Sequence, residues 1–372
     1  MIKERKSNIE LLRIIAMLLI ISFHYVYKSE YVFDKLDYNA FIVKTFYFFG
    51  ELGVNLFILI TGYFLVNGKF SMKKLIKLIL EVNFYYLFST FLAYRFNIGS
   101  VKNLDIFRDY ILIFFPSIFD RFWFITVYML VYILSPYINI LVHNLSKNNY
   151  KKLLLILILL WSIIPTIFGI LFNSTETLLY YNRFIWLIVM YLVGAYIRLY
   201  SIKFFDKKIN AVIASLVSFI IMVVGILVIY KYNYAFSLLG TREVAYFWGP
   251  NTLPMLVLSV SIFILFINLK INSNKIINLL ASTTLGIYMI HDGIFAGFIW
   301  NNIFNTKNHL NGKYPISHII IATFIIFIFG VIVDLIRQFI EKHTVDKFLD
   351  SKIYVKLRNT CEKVSNKISD LL

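Results

Sequence analysis

Cysteine is nearly absent from this chain, and the single copy, Cys361, sits in a charged C-terminal stretch. One thiol excludes an intrachain disulfide framework, a CxxC redox pair and a cysteine metal site. Histidine is also scarce, and its six copies form no HxxxH or HExxH pair; no metal is expected. Six prolines and fifteen glycines are too few for a fibrous or linker-rich chain. No Walker loop or GxGxxG fingerprint is present, which removes ATP and dinucleotide chemistry. No 20–50-residue repeat is visible. Charged residues make up only 15% of the chain, against roughly 25% in ordinary soluble domains.

What fills the chain is apolar: 60% hydrophobic and 18% aromatic residues, with a mean hydropathy of +0.76. The expected fold is all-α, a polytopic membrane helix bundle whose first partner is the lipid bilayer. A spanning helix needs about 20 mostly apolar residues. Candidate spans fall at 9–27, 46–66, 75–95, 122–142, 153–172, 184–200, 211–230, 252–270, 277–300 and 316–338. The stretch 105–119 is too interrupted to span and is expected at the interface or dipping into the bundle. The N-terminal run resembles a secretory signal but lacks a small-x-small cleavage site, so an uncleaved first span is expected. The expected domains are a membrane unit over 1–340 and a basic cytoplasmic tail over 341–372.

The net charge of +17 would suggest nucleic acid in a soluble chain. Here the cations lie in short segments between apolar runs, so they set topology and no nucleic-acid partner is expected. With the N-terminus inside, 25 of the 37 Lys and Arg fall on the cytoplasmic side. That bias predicts ten spans with both termini inside, in a multi-pass cell-membrane protein, expected in a bacterial plasma membrane.

The first span, "LLRIIAMLLIISFHYVYK", carries Arg13 and His24. Eleven residues on a helix turn about 20° beyond three full turns and rise about 16 Å, so the two share a face, with Glu10 close to it. Ionisable groups at this depth face a bundle interior or cavity. A snorkelling anchor is the alternative for Arg13. For His24 the alternative is a structural hydrogen bond. In "TTLGIYMIHDGIF", His291 lies about 21 Å up the ninth span and His24 about 22 Å up the first, so the two are expected to border one site. Asp292 points about 100° from His291 and is expected toward an outer vestibule. Glu81 is expected to pair with Lys77 at i,i+4, and Asp334 with Arg337 at i,i+3. The Thr61–Gly62 step predicts close helix packing.

The arrangement "NIELLRIIAMLLIISFH" resembles the signature of acyltransferase family 3, an Arg and a His separated by ten residues in the first span. Three further elements are similar to the family in order: "GELGVNLFILITGYFL" (50–65), "FWFITVYMLVYILSPYIN" (122–139) and "STTLGIYMIH" (282–291). The resemblance implies a ten-span core that moves an acetyl group from cytoplasmic acetyl-CoA to a hydroxyl of a cell-surface or lipid-linked glycan. It implies that Arg13 and His24 are essential; His291, at a similar depth, is the further candidate catalytic residue, as a second acid/base or an acceptor-binding group. The basic loop after the second span, with Lys69, Lys73, Lys74 and Lys77, is implied to meet coenzyme A; Arg13 is the further candidate for the cofactor, binding phosphate or orienting Glu10. Family members often carry arginine there; lysines bind phosphate as point charges, and topology alone also accounts for them. Some members continue into a hydrolase-like domain; none is expected here.

On this reading His24 acts as general base or carries the acetyl group, and either role needs a neutral imidazole. Glu10, Trp123, Tyr288 and Asp292 are the candidate substrate-binding groups. A glycan exporter or flippase, or an amino-acid-handling membrane module without acyl chemistry, is the alternative.

Overall fold

The first span folds as α1 (Ser7–Tyr27) and forms the centre of the bundle. Leu12, Ala16, Ile21 and Tyr25 on it are fully buried. In this computed structural model residues 5–31, 37–98, 122–167, 182–231, 249–352 and 354 are described. The stretch 105–119 and Cys361 lie outside them. The following helices are α2 (Tyr38–Leu65), α3 (Met72–Arg95), α4 (Trp123–Asn144) and α5 (Lys147–Ile158), which continues through a π turn at Leu159–Ile163. Then come α6 (Arg183–Leu199), α7 (Lys208–Lys231), α8 (Leu253–Ile267), α9 (Lys275–Ser282) and α10 (Thr284–His291). Last come α11 (Thr306–Leu310), α12 (Pro315–His343) and α13 (Val345–Leu349). No strand occurs among the described residues, and the protein is a helical membrane bundle.

Helix starts follow local chemistry. Asp37 accepts from the Ala40 amide at 2.8 Å to open α2, and Asn182 accepts from Phe184 and Ile185 amides to open α6, each satisfying an orphan donor of the first turn. Pro254 and Pro315 occupy first-turn positions of α8 and α12, where the missing N–H costs nothing.

Each expected span has a helical counterpart, yet only seven helices among the described residues are long and apolar enough to cross a membrane. The segment α8 is short, with 15 residues. The expected ninth span, 277–300, is not one rod. It breaks at Thr283 and ends again after His291. The hydroxyls of Ser282, Thr283 and Thr284 all turn back onto carbonyls three residues earlier, offering the backbone an alternative to the helical ladder. Gln338 of α12 donates to the Ser282 carbonyl at 3.2 Å.

Three packing devices hold the bundle around α1. The first is the Thr-Gly step. A Cβ on Gly62 would lie 2.1 Å from the Tyr191 carbonyl oxygen, and one on Gly194 would lie 2.3 Å from that of Leu59. With Trp186 bonded to Asn55 and Arg198 to Tyr63 further along, this places α2 and α6 parallel, with Gly62 level with Gly194. Second, fully buried Asn55 donates to the Pro250 carbonyl at 2.8 Å and accepts from Trp186 Nε1 at 2.9 Å, tying α2 to α6 and to the start of α8. Third, Asn8 donates to the Phe266 and Leu269 carbonyls, closing the C-terminal end of α8. The outward faces of α7 and α12 are rows of exposed apolar side chains, Ile213, Leu216 and Ile220 on one and Ile321, Phe324 and Ile328 on the other, as a lipid-facing surface requires.

Candidate active site

The break after His291 builds the centre of the site. On α1 and α10 respectively, His24 and His291 are both buried, with His24 Nδ1 3.0 Å from His291 Nε2. The other nitrogen of His291, Nδ1, lies 2.6 Å from the Ile287 carbonyl oxygen. A carbonyl only accepts, so His291 Nδ1 carries the proton. With His291 neutral, its Nε2 then accepts from His24 Nδ1–H, and the lone pair of His24 is on Nε2. That nitrogen faces Asp292 Oδ1 at 3.4 Å, and the same oxygen lies 3.1 Å from Lys28 Nζ. The peptide of His291 is fixed as well, its carbonyl accepting from Trp300 Nε1 at 3.1 Å. The chain Ile287–His291–His24 therefore selects one tautomer of His24 and leaves its Nε2 as the available base, with a carboxylate beside it for the imidazolium formed on protonation.

Beside this centre lies a cavity of about 390 Å³. It follows one face of α1, where Arg13, Met17, Ile20 and His24 line it in succession. Arg5, Lys74 and Ser282 line it as well, and Glu51, Trp123 and Tyr288 border it with His24. Along α1 the rise from Arg13 to His24 is about 16 Å, and Arg5, just before the helix, extends the cationic end further. A cationic region and a base thus share one elongated space, the geometry a long anionic ligand with a reactive tip requires.

The sequence-derived site residues separate into groups. Arg13, His24, Lys74, Trp123 and Tyr288 line the cavity. Glu10 instead sits buried beside Arg13, with Oε2 3.3 Å from Nη1. The fully buried His291 lies behind His24. Asp292 is not turned to a separate vestibule: ending α10 at His291 redirects the next residue onto His24. Lys73 is paired with Asp350 at 2.5 Å, and Lys77 with Glu341 and Asp346 at 2.9 and 2.7 Å.

The expected Glu81–Lys77 pair is replaced by a tertiary one. Glu81 Oε1 is 3.0 Å from Arg337 Nη2. Arg337 Nε also donates to Asp334 Oδ1 at 2.7 Å, the i,i+3 contact expected from the sequence. Tyr85 donates to the same carboxylate at 2.7 Å, Gln338 donates to it as well, and Arg337 also pairs with Glu341. This buried network joins α3 to α12 directly beneath Gly286 of α10. Among the described residues no group of three or more His, Cys, Asp or Glu is placed to hold a metal ion.

Sequence reasoning undervalued Lys28, Arg5 and Glu51. Lys28 counts only as an outer charge in the topology tally, although it sits one helical turn after His24. Arg5 precedes α1 and has no periodicity to place it. Glu51 has no partner at helical spacing, and its neighbours come from other helices.

The family model for the acyltransferase domain matches residues 6–335, from the start of α1 into α12. Comparison with curated proteins and with solved structures gives no match. The matched region contains the His24–His291–Asp292 cluster and every cavity-lining residue named above except Arg5, and the chain belongs to acyltransferase family 3 as a membrane acyltransferase.

Proposed function

We propose that this protein transfers an acetyl group from cytoplasmic acetyl-CoA to a hydroxyl of a cell-surface or lipid-linked glycan. The observation that supports this reading best is the single cavity that has Arg5, Arg13 and Lys74 on its wall together with His24. Phosphates of the donor engage the cations, with Arg13 oriented by Glu10, and the pantetheine arm runs along α1 to bring the thioester to His24. His24 Nε2 takes the proton from the acceptor hydroxyl as its oxygen attacks the thioester carbonyl. The carbon–sulfur bond breaks, the ester forms, and the departing thiolate receives the proton from His24. Asp292 stabilises the intervening imidazolium, and His291 acts as a positioning residue that keeps Nδ1 of His24 protonated. In this scheme ten segments span a plasma membrane, with both termini cytoplasmic, so that donor and acceptor meet from opposite faces.

Lys74 carries the donor contact expected of the basic loop, while Lys73 and Lys77 hold α3 against α12 and α13 through their carboxylate partners. The test is mass spectrometry of surface polysaccharide from cells expressing wild type or His24→Ala. The expected result is O-acetyl groups with wild type and none with the variant. Full acetylation by His24→Ala would remove the base assignment.

A further inference from the structure

Glu51 is a carboxylate on the cavity wall to which the mechanism gives no task. Three observations place it. On α2, a Cβ at the preceding Gly50 would lie 2.4 Å from the Phe23 ring, so Glu51 sits at the level of Phe23 and His24. The parallel register of α2 and α6, Gly62 level with Gly194, brings Arg183 to the same level as Glu51. The guanidinium of Arg183 in turn lies over the Trp123 ring, 4.5 Å from its centroid. Glu51 and Trp123 both line the cavity that His24 lines, and no hydrogen bond between Glu51 and the described residues is present.

We infer that Glu51 and Trp123 form the acceptor subsite, Glu51 accepting hydrogen bonds from ring hydroxyls of an uncharged pyranose stacked against Trp123. The inference rests on the acyl-transfer reading and names the part of the cavity that selects the acceptor. The Arg183 guanidinium favours the charged form of Glu51, and in that form the carboxylate is an acceptor-only group with two oxygens. It suits vicinal hydroxyls, which present two donors at once, and it repels a uronate. The Arg183 guanidinium covers one face of the indole and fixes its orientation, and the opposite face is an apolar surface of the size of a sugar ring. Neither feature is needed to bind the donor, whose charged groups lie with the cations further down α1. Glu51 therefore acts on acceptor choice without touching donor affinity.

The test uses purified full-length protein in lipid nanodiscs, acetyl-CoA, and two kinds of acceptor. One is a panel of methyl glucoside, methyl galactoside and methyl N-acetylglucosaminide; the other is hexan-1-ol, which offers a hydroxyl without a ring. Coenzyme A release and ester formation are followed together. Glu51→Gln is expected to raise the KM of the best pyranoside about tenfold, the loss of one charge-assisted hydrogen bond. The KM for acetyl-CoA and the rate with hexan-1-ol are expected to stay within about twofold. If Glu51→Gln yields no folded protein, Glu51→Asp, which withdraws the carboxylate by one methylene, carries the same expectation. An equal fall in kcat with both acceptors would make Glu51 a proton-transfer group and overturn the inference. An unchanged pyranoside KM, or a wild type that acetylates hexan-1-ol and no pyranoside, would also overturn it while leaving acyl transfer standing. A wild type that consumes acetyl-CoA with neither acceptor would remove the acyl-transfer reading itself.

Discussion

Asp292→Asn tests the electrostatics of the site, because Lys28 allows the charge reasoning to be checked by a second substitution. In the wild type, Asp292 Oδ1 is 3.4 Å from His24 Nε2. At an effective dielectric constant of about 20, a carboxylate at that distance favours a full imidazolium charge by about 5 kcal/mol. Lys28 Nζ is 3.1 Å from the same oxygen, so it lies within about 6.5 Å of His24 Nε2. Its repulsion is then at least about 2.5 kcal/mol on the same scale. Asp292→Asn removes the attraction and keeps the repulsion, and the acyl-transfer rate is expected to fall on the order of 10³-fold. Asp292→Asn with Lys28→Met removes both, and the loss is expected to shrink to about 50-fold or less. The assay is single-turnover release of coenzyme A thiol from protein preloaded with donor, compared across the four members of the double-mutant cycle. A rate for Asp292→Asn within threefold of wild type, or a double variant no faster than Asp292→Asn alone, would refute the charge argument.

Other expectations follow from particular contacts. Gly286→Ala places a Cβ 2.2 Å from Asp334 Oδ1 and 2.4 Å from Tyr85 Oη, which breaks a buried charge-assisted bond; thermal unfolding in detergent should show a loss of about 3–5 kcal/mol. Gly62→Val drives a side chain into the Tyr191 carbonyl and should abolish recovery of monodisperse protein, read by size-exclusion chromatography. Lys74→Glu should raise the KM for acetyl-CoA about tenfold or more, whereas Lys73→Glu, whose charge is directed to exposed Asp350, should leave that KM nearly unchanged. His291→Phe removes the acceptor of His24 Nδ1–H; it should lower kcat far more than it alters the KM for acetyl-CoA, as measured by steady-state thiol release.

The sequence carries the bundle and one edge of the site plainly, because both depend on a single periodicity. A face repeating along α1 puts Arg13 and His24 together wherever the other helices stand, and both line the cavity. Depth along two spans likewise anticipates that His24 and His291 meet. What helical periodicity hides is where a helix stops. Asp292 looks turned away from the histidines on an unbroken helix, and it reaches His24 because α10 ends one residue earlier. The signal was present in the three consecutive hydroxyl residues at 282–284 and in Gly293, whose Cβ would lie 2.3 Å from the Met289 carbonyl oxygen.

Spacing also misassigned Glu81. Lys77 stands at i−4, but two carboxylates from α12 and α13 hold it, and Arg337 takes Glu81 instead. In a low-dielectric interior a guanidinium already fixed by Asp334 is the better partner than a flexible ammonium. The level of Glu51 with Arg183 was equally hidden, since it depends on the register of two glycines 132 positions apart.

The central claim is that an acetyl group travels along the α1 face to His24 and leaves on a hydroxyl at the far side. Sealed inverted membrane vesicles, supplied with radiolabelled acetyl-CoA on their cytoplasmic face, test it most directly. Wild type is expected to place label in ester linkage on lumenal glycan, and His24→Ala, at equal abundance, none. Equal labelling by the two proteins would contradict the account.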